Sequence, residues 1–500
     1  MTTLTTILPA ELAATLARSP GPTFVAGLFQ GVDGLRGGRG SELLGELLGV
    51  DPVALAASDP QFEAAPGERA VVVVPVATGA VRVVLVGLGR GVPTVNGLFD
   101  AALAAAAGAD AVSTLALEAD PAAPADVVLG AVAQGHAVGL WRYRREAEGV
   151  DAVADAAPGS VVLVDRGSGD RSTVLDRAAT VAVATSWVRQ LVETPPNRLG
   201  PRAFADAIGA FAARVAGDRV AVSIWDEATL IERGFGATLG VGAGSVDSPL
   251  VVELTVAGDG PSTALAGKGI TFDSGGTNLK RDMGELSWMK SDMAAAAAVA
   301  AAVISAAALG APGPLHALLP VAENMPGGGA QRPGDVVRHP GGRTTEIVDT
   351  DCEGRLVLAD ALSYLARENP ARLIDVGTLT DSGGVGHAFW GCWGTSDALA
   401  AELVAAGLAA GDPGWALPLH DSYRDLLSSR VADIANSPID VPDSGQLAAT
   451  YLRSFVGETA WVHIDNGSSA WLERDASPWP AGATGTPVRA LIEFLAPVRP

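Results

Sequence analysis

The chain is poor in the residues that build most zinc and redox sites: its 500 residues include 2 cysteines, Cys352 and Cys392, and 6 histidines. Two cysteines cannot make a disulfide framework or a four-cysteine zinc site, and their scarcity fits a reducing compartment, so a cytoplasmic location is expected. Any metal site must rely mainly on oxygen ligands. Basic residues are also scarce, with 34 Lys and Arg against 56 Asp and Glu, a formal net charge of −22. Such a balance repels a phosphate backbone, and no nucleic acid partner is expected. Strongly apolar runs are missing too. Residues 293–309 come nearest, but they are almost all Ala, with Val299, Val303 and Ile304, and Lys290 and Asp292 lie directly before them. Alanine carries little apolar area, so this run predicts a buried helix and not a membrane span. Residues 1–12 lack the basic and long apolar regions of a signal peptide.

What remains is a globular composition, 48% hydrophobic and 18% charged, with 61 Gly and 32 Pro to supply turns. The length suits about two or three domains. In the first third, β-branched runs at 24–29, 70–76, 81–86, 111–116 and 161–164 read as strands, and 98–107 and 125–141 as helices. The stretch Gly87-Leu88-Gly89-Arg90-Gly91-Val92 lacks the third glycine of a dinucleotide fingerprint and runs into Pro93, so it reads as a turn. Residues 146–159 read as an acidic surface loop. A helix over 171–193 ends at Thr194-Pro195-Pro196-Asn197, where two prolines stop it. Further strands are predicted at 220–224, 250–254, 263–266, 315–320, 345–348 and 373–376, alternating with helices. The expectation is two α/β domains with largely parallel or mixed sheets: an N-terminal domain over 1–170, a connecting helix over 171–197, and a catalytic domain over 198–500 whose helix-covered sheet carries the active site.

With charges this sparse, their clustering is informative. The strand at 264–267 runs into Lys268-Gly269-Ile270-Thr271-Phe272-Asp273-Ser274-Gly275-Gly276, followed by Lys280, Lys290 and Asp292. Ligands gather at the carboxyl ends of strands in α/β sheets, which is where Lys268 and Asp273 fall. A second cluster, Asp349-Thr350-Asp351-Cys352-Glu353-Gly354-Arg355, precedes a helix predicted over 356–365. Asp351 and Glu353 are two apart, and on an extended segment both carboxylates would project to one side. Carboxylates collected at one place repel, and divalent cations would neutralise them. A pair of such ions can hold a hydroxide nucleophile and polarise a carbonyl. From spacing alone, an ordinary polar patch at the strand ends stays open, because oxygen ligands have no tight sequence code.

These blocks resemble the leucyl aminopeptidase (cytosol aminopeptidase) family of dinuclear-metal exopeptidases. Asp349 to Leu356 matches the family's N-T-D-A-E-G-R-L at all but two places, and Gly267 to Gly276 is similar throughout. Glu323-Asn324-Met325-Pro326, Arg332-Pro333-Gly334-Asp335, Thr378-Leu379-Thr380 and Ala483-Thr484-Gly485 resemble family text as well. The resemblance implies metal ligands at Lys268, Asp273, Asp292, Asp351 and Glu353, for two divalent ions, Mn²⁺ or Zn²⁺ with Mg²⁺ as a third candidate. It implies that Asp273 and Glu353 bridge them. Lys268 would have to coordinate as the neutral amine. It further implies that Lys280 stabilises the tetrahedral intermediate, and that Arg355 holds a bicarbonate acting as general base for a metal-bridging hydroxide. Met289, Thr378, Leu379 and Asp381 would line the substrate pocket. The implied activity is removal of the N-terminal residue from peptide substrates by a homohexamer; the alternative is a catalytically impaired member serving as a binding or scaffold protein.

Four positions depart from the family pattern. The loop from Lys280 to Asp292 is one residue longer, which puts the placement of Lys280 in question. Asp349 stands for Asn and adds negative charge, while Cys352 stands for Ala and puts a thiol beside the ligands. Asp381 stands where Gly is usual, and a carboxylate there would suit a basic N-terminal side chain.

Overall fold

A computed structural model describes residues 3–7, 23–77, 79–91, 93–109, 112–117, 123–143, 160–164 and 170–498. The acidic stretch 146–159 and most of 1–12 lie outside these residues. Two sheets organise the chain. The first contains β1 (Thr3–Ile7), β2 (Thr23–Gly31), β3 (Gly34–Gly37), β4 (Arg69–Val76), β5 (Gly79–Gly87), β6 (Val112–Ala116) and β7 (Ser160–Val164). Its order is β1-β7-β6-β2-β5-β4, with β3 beside β2. β1, β7, β6, β2 and β5 run parallel, while β4 and β3 return as antiparallel hairpin partners of β5 and β2. Apolar side chains fill both faces, with Phe24, Leu44, Val83 and Leu85 on one and Val25, Leu98, Leu115 and Leu163 on the other. That double burial explains the continuous Val-rich strands. Two helices cover the second face: α1 (Val95–Ala106), which starts earlier than its apolar pattern because Thr94 Oγ1 accepts from Gly97 N at 3.1 Å, and α2 (Ala125–Gly139).

A long helix, α3 (Ser172–Glu193), packs on α2 at one end and on the second sheet's helices at the other. The second sheet includes β8 (Ala221–Trp225), β9 (Leu250–Val256), β10 (Thr263–Gly267), β11 (Gly269–Asp273) and β12 (Leu315–Asn324), while β13 (Val336–Arg338) and β14 (Thr344–Glu346) form a small separate sheet with β18 (Ile434–Ala435). The main sheet continues through β15 (Arg372–Gly377), β16 (Trp390–Gly394), β17 (Gly414–Ala416) and β19 (Trp461–Asp465), in the order β17-β16-β19-β15-β10-β12-β9-β8 with β11 beside β12. Its centre is parallel: β19, β15, β10 and β12 share one direction, and β11 follows β12. Their carboxyl ends therefore open on one edge.

The alanine run forms α4 (Ala294–Ala308), in which every residue but Ala308 is fully buried. Together with the preceding turns it is long and apolar enough to cross a membrane, but it is 94% buried inside the protein. Small side chains let it lie close on the sheet: a Cβ at Gly267 would stand 2.8 Å from Ala296 Cα. On the opposite face lies α5 (Glu353–Ala366), with Leu356, Leu358, Leu362 and Leu365 in the core. α5 begins at Glu353, earlier than its apolar pattern predicted, and this corrects the geometry assumed for the second cluster. Asp351 sits in a turn and Glu353 in the first helical turn, so no extended segment places the two carboxylates together. An acidic residue at that position complements the helix dipole.

Candidate metal centre

The parallel carboxyl ends bring the two clusters into one cleft of about 760 Å³. Lys268 follows β10, Asp273 ends β11, Asp292 precedes α4, and Glu353 opens α5. Lys268 Nζ lies 2.8 Å from Asp292 Oδ1 and 2.9 Å from Glu353 Oε1. Lys280 Nζ lies 2.9 Å from Asp273 Oδ2 and 2.7 Å from Asp351 Oδ1. Asp273, Asp292 and Glu353 can each direct an oxygen to within 4.8 Å of the others. Close approach is built into the backbone: a Cβ at Gly354 would fall 2.5 Å from Lys268 Cε, and one at Gly275, where φ is +88°, would meet Asp351 Oδ1 at 2.9 Å.

The electrostatics are those of a crowded anionic pocket. Burial and then the neighbouring carboxylates push the Asp351 carboxyl up to about 8. Burial likewise raises Glu353, and Asp292 well above the carboxylate range. For Lys268 burial opposes the charge, but Asp292, Glu353 and Asp273 outweigh it and hold the ammonium above the usual lysine range. Lys280 is held high in the same way by Asp273, Glu353 and Asp351. Two lysines thus balance part of the carboxylate charge, and two buried oxygens, Asp292 Oδ2 and Glu353 Oε2, have no hydrogen-bond partner. Orphaned carboxylate oxygens beside like charges fit an oxygen-coordinated divalent cation.

The loops that carry these carboxylates are held by further side chains, of which Thr378 was expected in the substrate pocket and the others were assigned no role. Asn324 Nδ2 donates to Asp273 Oδ1 at 2.8 Å and to the Thr350 carbonyl at 3.0 Å. Asn436 Nδ2 donates to the Asp349 carbonyl at 2.6 Å, and its Oδ1 accepts from Val348 N at 2.8 Å. Thr378 Oγ1 donates to Asp292 Oδ1 at 2.7 Å, while its carbonyl accepts from Lys268 Nζ at 2.9 Å. Asp465, at the end of β19, accepts from Thr380 Oγ1 at 2.6 Å. Of these, Asn324, Thr378 and Thr380 lie in the family-like blocks, whereas Asn436 and Asp465 do not.

Each departure has a visible consequence. The longer loop folds into the short helix Met283–Trp288, capped by Asp282 Oδ1, which accepts from Gly284 N at 2.7 Å and Glu285 N at 3.1 Å; Lys280 still reaches the carboxylates. Asp349 Oδ1 accepts from Asp351 N at 2.9 Å, a bond an Asn carbonyl could also make. The Cys352 thiol is half-buried, is raised by burial, and donates to Asp443 Oδ2 at 3.4 Å. Asp381 is exposed on the cleft wall, and its Oδ1 accepts from Gly383 N at 3.1 Å. Met289, Thr378 and Leu379 line the same cleft. Arg355 does not. It is 2% exposed, and its guanidinium faces Asp443 and the Asn436 carbonyl.

A cleft at the carboxyl ends of a parallel sheet, with orphaned carboxylate oxygens and two buried lysines, defines a cation-dependent enzyme site of the α/β class. A family model described as the cytosol aminopeptidase family, catalytic domain, matches residues 186–492. The chain belongs to that family. Among its relatives, a probable cytosol aminopeptidase of Micrococcus luteus is 42% identical over 416 residues, covering 79% of each chain. One from Geotalea uraniireducens is 38% identical over 375 residues, covering 73% of this chain and 74% of its own. Among solved structures, the bottromycin maturation enzyme BotP in complex with Mn superposes with a TM-score of 0.79 at 35% identity, covering 95% of this chain and 98% of that one.

Proposed function

We propose that the protein is a dinuclear metallo-aminopeptidase of the leucyl aminopeptidase type, removing the N-terminal residue from peptides. The observation that carries this is the convergence of Lys268, Asp273, Asp292, Asp351 and Glu353 on one cleft, with Asp292 Oδ2 and Glu353 Oε2 left without partners. Those five residues would hold two divalent cations, Mn²⁺ or Zn²⁺ with Mg²⁺ as a third candidate. When bound, such a pair lowers the pKa of water and polarises a carbonyl.

The chain's own residues do the rest. Thr378 Oγ1 and Asn324 Nδ2 orient the Asp292 and Asp273 carboxylates through single hydrogen bonds. Lys280, charged and buried at 8% side-chain exposure, is placed to hold the oxyanion that develops at the scissile carbonyl. Met289, Leu379 and Asp381 would receive the N-terminal side chain, with Asp381 favouring a basic one. The bicarbonate implied at Arg355 does not fit these residues, because Asp443 already takes the guanidinium and Arg355 stands off the cleft wall; no step is assigned to it. Residues 1–170 would be an N-terminal domain joined by a connecting helix at 171–197 to a catalytic domain at 198–500, in a cytoplasmic homohexamer. Relatives named as cytosol aminopeptidases support the location.

A panel of arginyl, lysyl and leucyl anilides assayed with Mn²⁺, with and without chelator, tests this. Chelator-sensitive release is expected, fastest for the basic substrates. No release with any divalent ion would overturn the activity, and a clear leucine preference would overturn the role of Asp381 alone.

A further inference from the structure

Asp443 lies between β18 and the helix Gly445–Arg453, far in sequence from the ligand turn. Both its oxygens meet the same guanidinium: Oδ1 accepts from Arg355 Nη1 at 3.0 Å, and Oδ2 pairs directly with Nη2. Arg355 Nη1 also donates to the Asn436 carbonyl at 2.8 Å, and the Cys352 thiol donates to Asp443 Oδ2. The guanidinium is therefore satisfied from within the chain, in the two-pronged geometry by which arginine binds carboxylates. Bicarbonate would present the same planar O–C–O unit and the same single negative charge. The two anions cannot occupy the same two nitrogens.

We propose that Asp443 is a built-in replacement for exogenous bicarbonate at Arg355, so that this protein neither binds nor needs that anion. The functional importance of Arg355's anion rests on the aminopeptidase reading; its identity does not, and the two can be tested apart. The first arm needs no turnover. Chelator-treated full-length protein is titrated with ¹³C-bicarbonate, followed by carbon line broadening and by thermal unfolding, for the unmodified chain, Asp443→Ala and Asp443→Asn. The unmodified chain should show no saturable binding and no change in Tm at millimolar bicarbonate, whereas Asp443→Ala should bind it and gain stability by mass action. Asp443→Asn keeps the side-chain shape and removes the charge, and serves if the alanine variant does not fold.

The second arm is activity in carbon dioxide-depleted buffer. The unmodified chain should change less than about twofold on adding bicarbonate, while Asp443→Ala should lose about tenfold or more in kcat/KM and recover most of it with bicarbonate. Saturable bicarbonate binding by the unmodified chain, or Asp443 variants that neither bind bicarbonate nor respond to it, would overturn the proposal. If every protein is inactive under all conditions, the aminopeptidase reading fails while the binding arm still decides the occupant of Arg355.

Discussion

The two sheets are built alike and filled differently. Each is largely parallel, buried on both faces and covered by alanine-rich helices. Among the described residues of the first, no Asp, Glu, Lys or Arg is fully buried; its buried polar groups are Thr23, Ser41, Ser113, Thr114 and His136, and burial lowers the His136 imidazole to about 4, leaving it neutral. The second buries Lys268, Asp273, Asp292 and Glu353 around one cleft, Arg355 behind its wall, and, elsewhere, Asp360, Asp375 and Asp412. Those last three have partners for both oxygens: His339 and Thr238 for Asp360, His463 and Trp461 for Asp375, Thr486 and the Arg489 amide for Asp412. Among the buried carboxylates just named, Asp292 and Glu353 in the cleft each leave an oxygen orphaned. Buried ion pairs are weak contributors to stability, so a cluster that is both charged and incompletely satisfied marks function.

The sharpest way to break this contrast is to neutralise one member of each region's interior. Glu353→Gln should cut kcat/KM about a thousandfold or more, because it removes a predicted ligand, while the far-ultraviolet circular dichroism of the folded protein stays unchanged. Phe24→Ala, at a site of 0% exposure in the first sheet, should cost about 3–5 kcal/mol in denaturant unfolding, with kcat/KM of the folded fraction within about twofold of normal. If Phe24→Ala silenced the enzyme at full stability, the division of labour would be wrong. Lys280→Ala should lower kcat by about a hundredfold to a thousandfold while leaving cation binding in calorimetry intact; unchanged activity would remove the oxyanion role and show that the longer loop has displaced this lysine from the reaction.

The smallest effect concerns a charged group outside the cleft. His316 on β12 contacts Glu253 Oε1 at 3.0 Å and Glu368 Oε2 at 2.8 Å. Burial lowers its pKa, but hydrogen bonds to the two glutamates raise it further, so its folded value lies above the ordinary one. The histidine's stabilisation is therefore fully present below about pH 6.5 and is lost as the pH rises through the raised value. The hydrogen bond from His316 holds Glu253 down at about 2, so its share persists at neutral pH and fades only as the pH falls below about 4.5 toward 2. His316→Gln should lower Tm at pH 6 more than at pH 9, by an amount within about 1 kcal/mol. An equal loss at both pH values would show that packing and not charge holds this bridge.

Much of the cleft was legible because its charged residues sit on short blocks at strand ends, where Lys268 and Asp273 are five residues apart and follow a plain apolar strand. β1, the β3 hairpin partner and the helix Arg39–Leu48 escaped the pattern reading. β1 is a short Thr-rich segment at the edge of its sheet, and β3 has only four residues, two of them Gly, so neither carries the apolar alternation that marks a half-buried strand. The early start of α5 was hidden because Glu353 and Arg355 are charged and interrupt the apolar run, though tertiary burial makes them part of the helix. Asp443 and Asn436 were invisible for a different reason. Asp443 lies 88 positions from Arg355, in a stretch without regular periodicity, and the pairing of β14 with β18, with the Asn436 hydrogen bonds, brings that stretch to the turn holding Asp351. Local patterns report elements and strand ends; contacts across long loops do not announce themselves in one sequence.

The central claim is that this cleft holds two divalent cations on Lys268, Asp273, Asp292, Asp351 and Glu353. A crystal structure of the full chain grown with Mn²⁺, with diffraction collected at the manganese absorption edge, tests it most directly. Two anomalous peaks per subunit within coordination distance of those five side chains are predicted. Peaks elsewhere, or an empty cleft with both lysines still bonded to the carboxylates at saturating Mn²⁺, would contradict it.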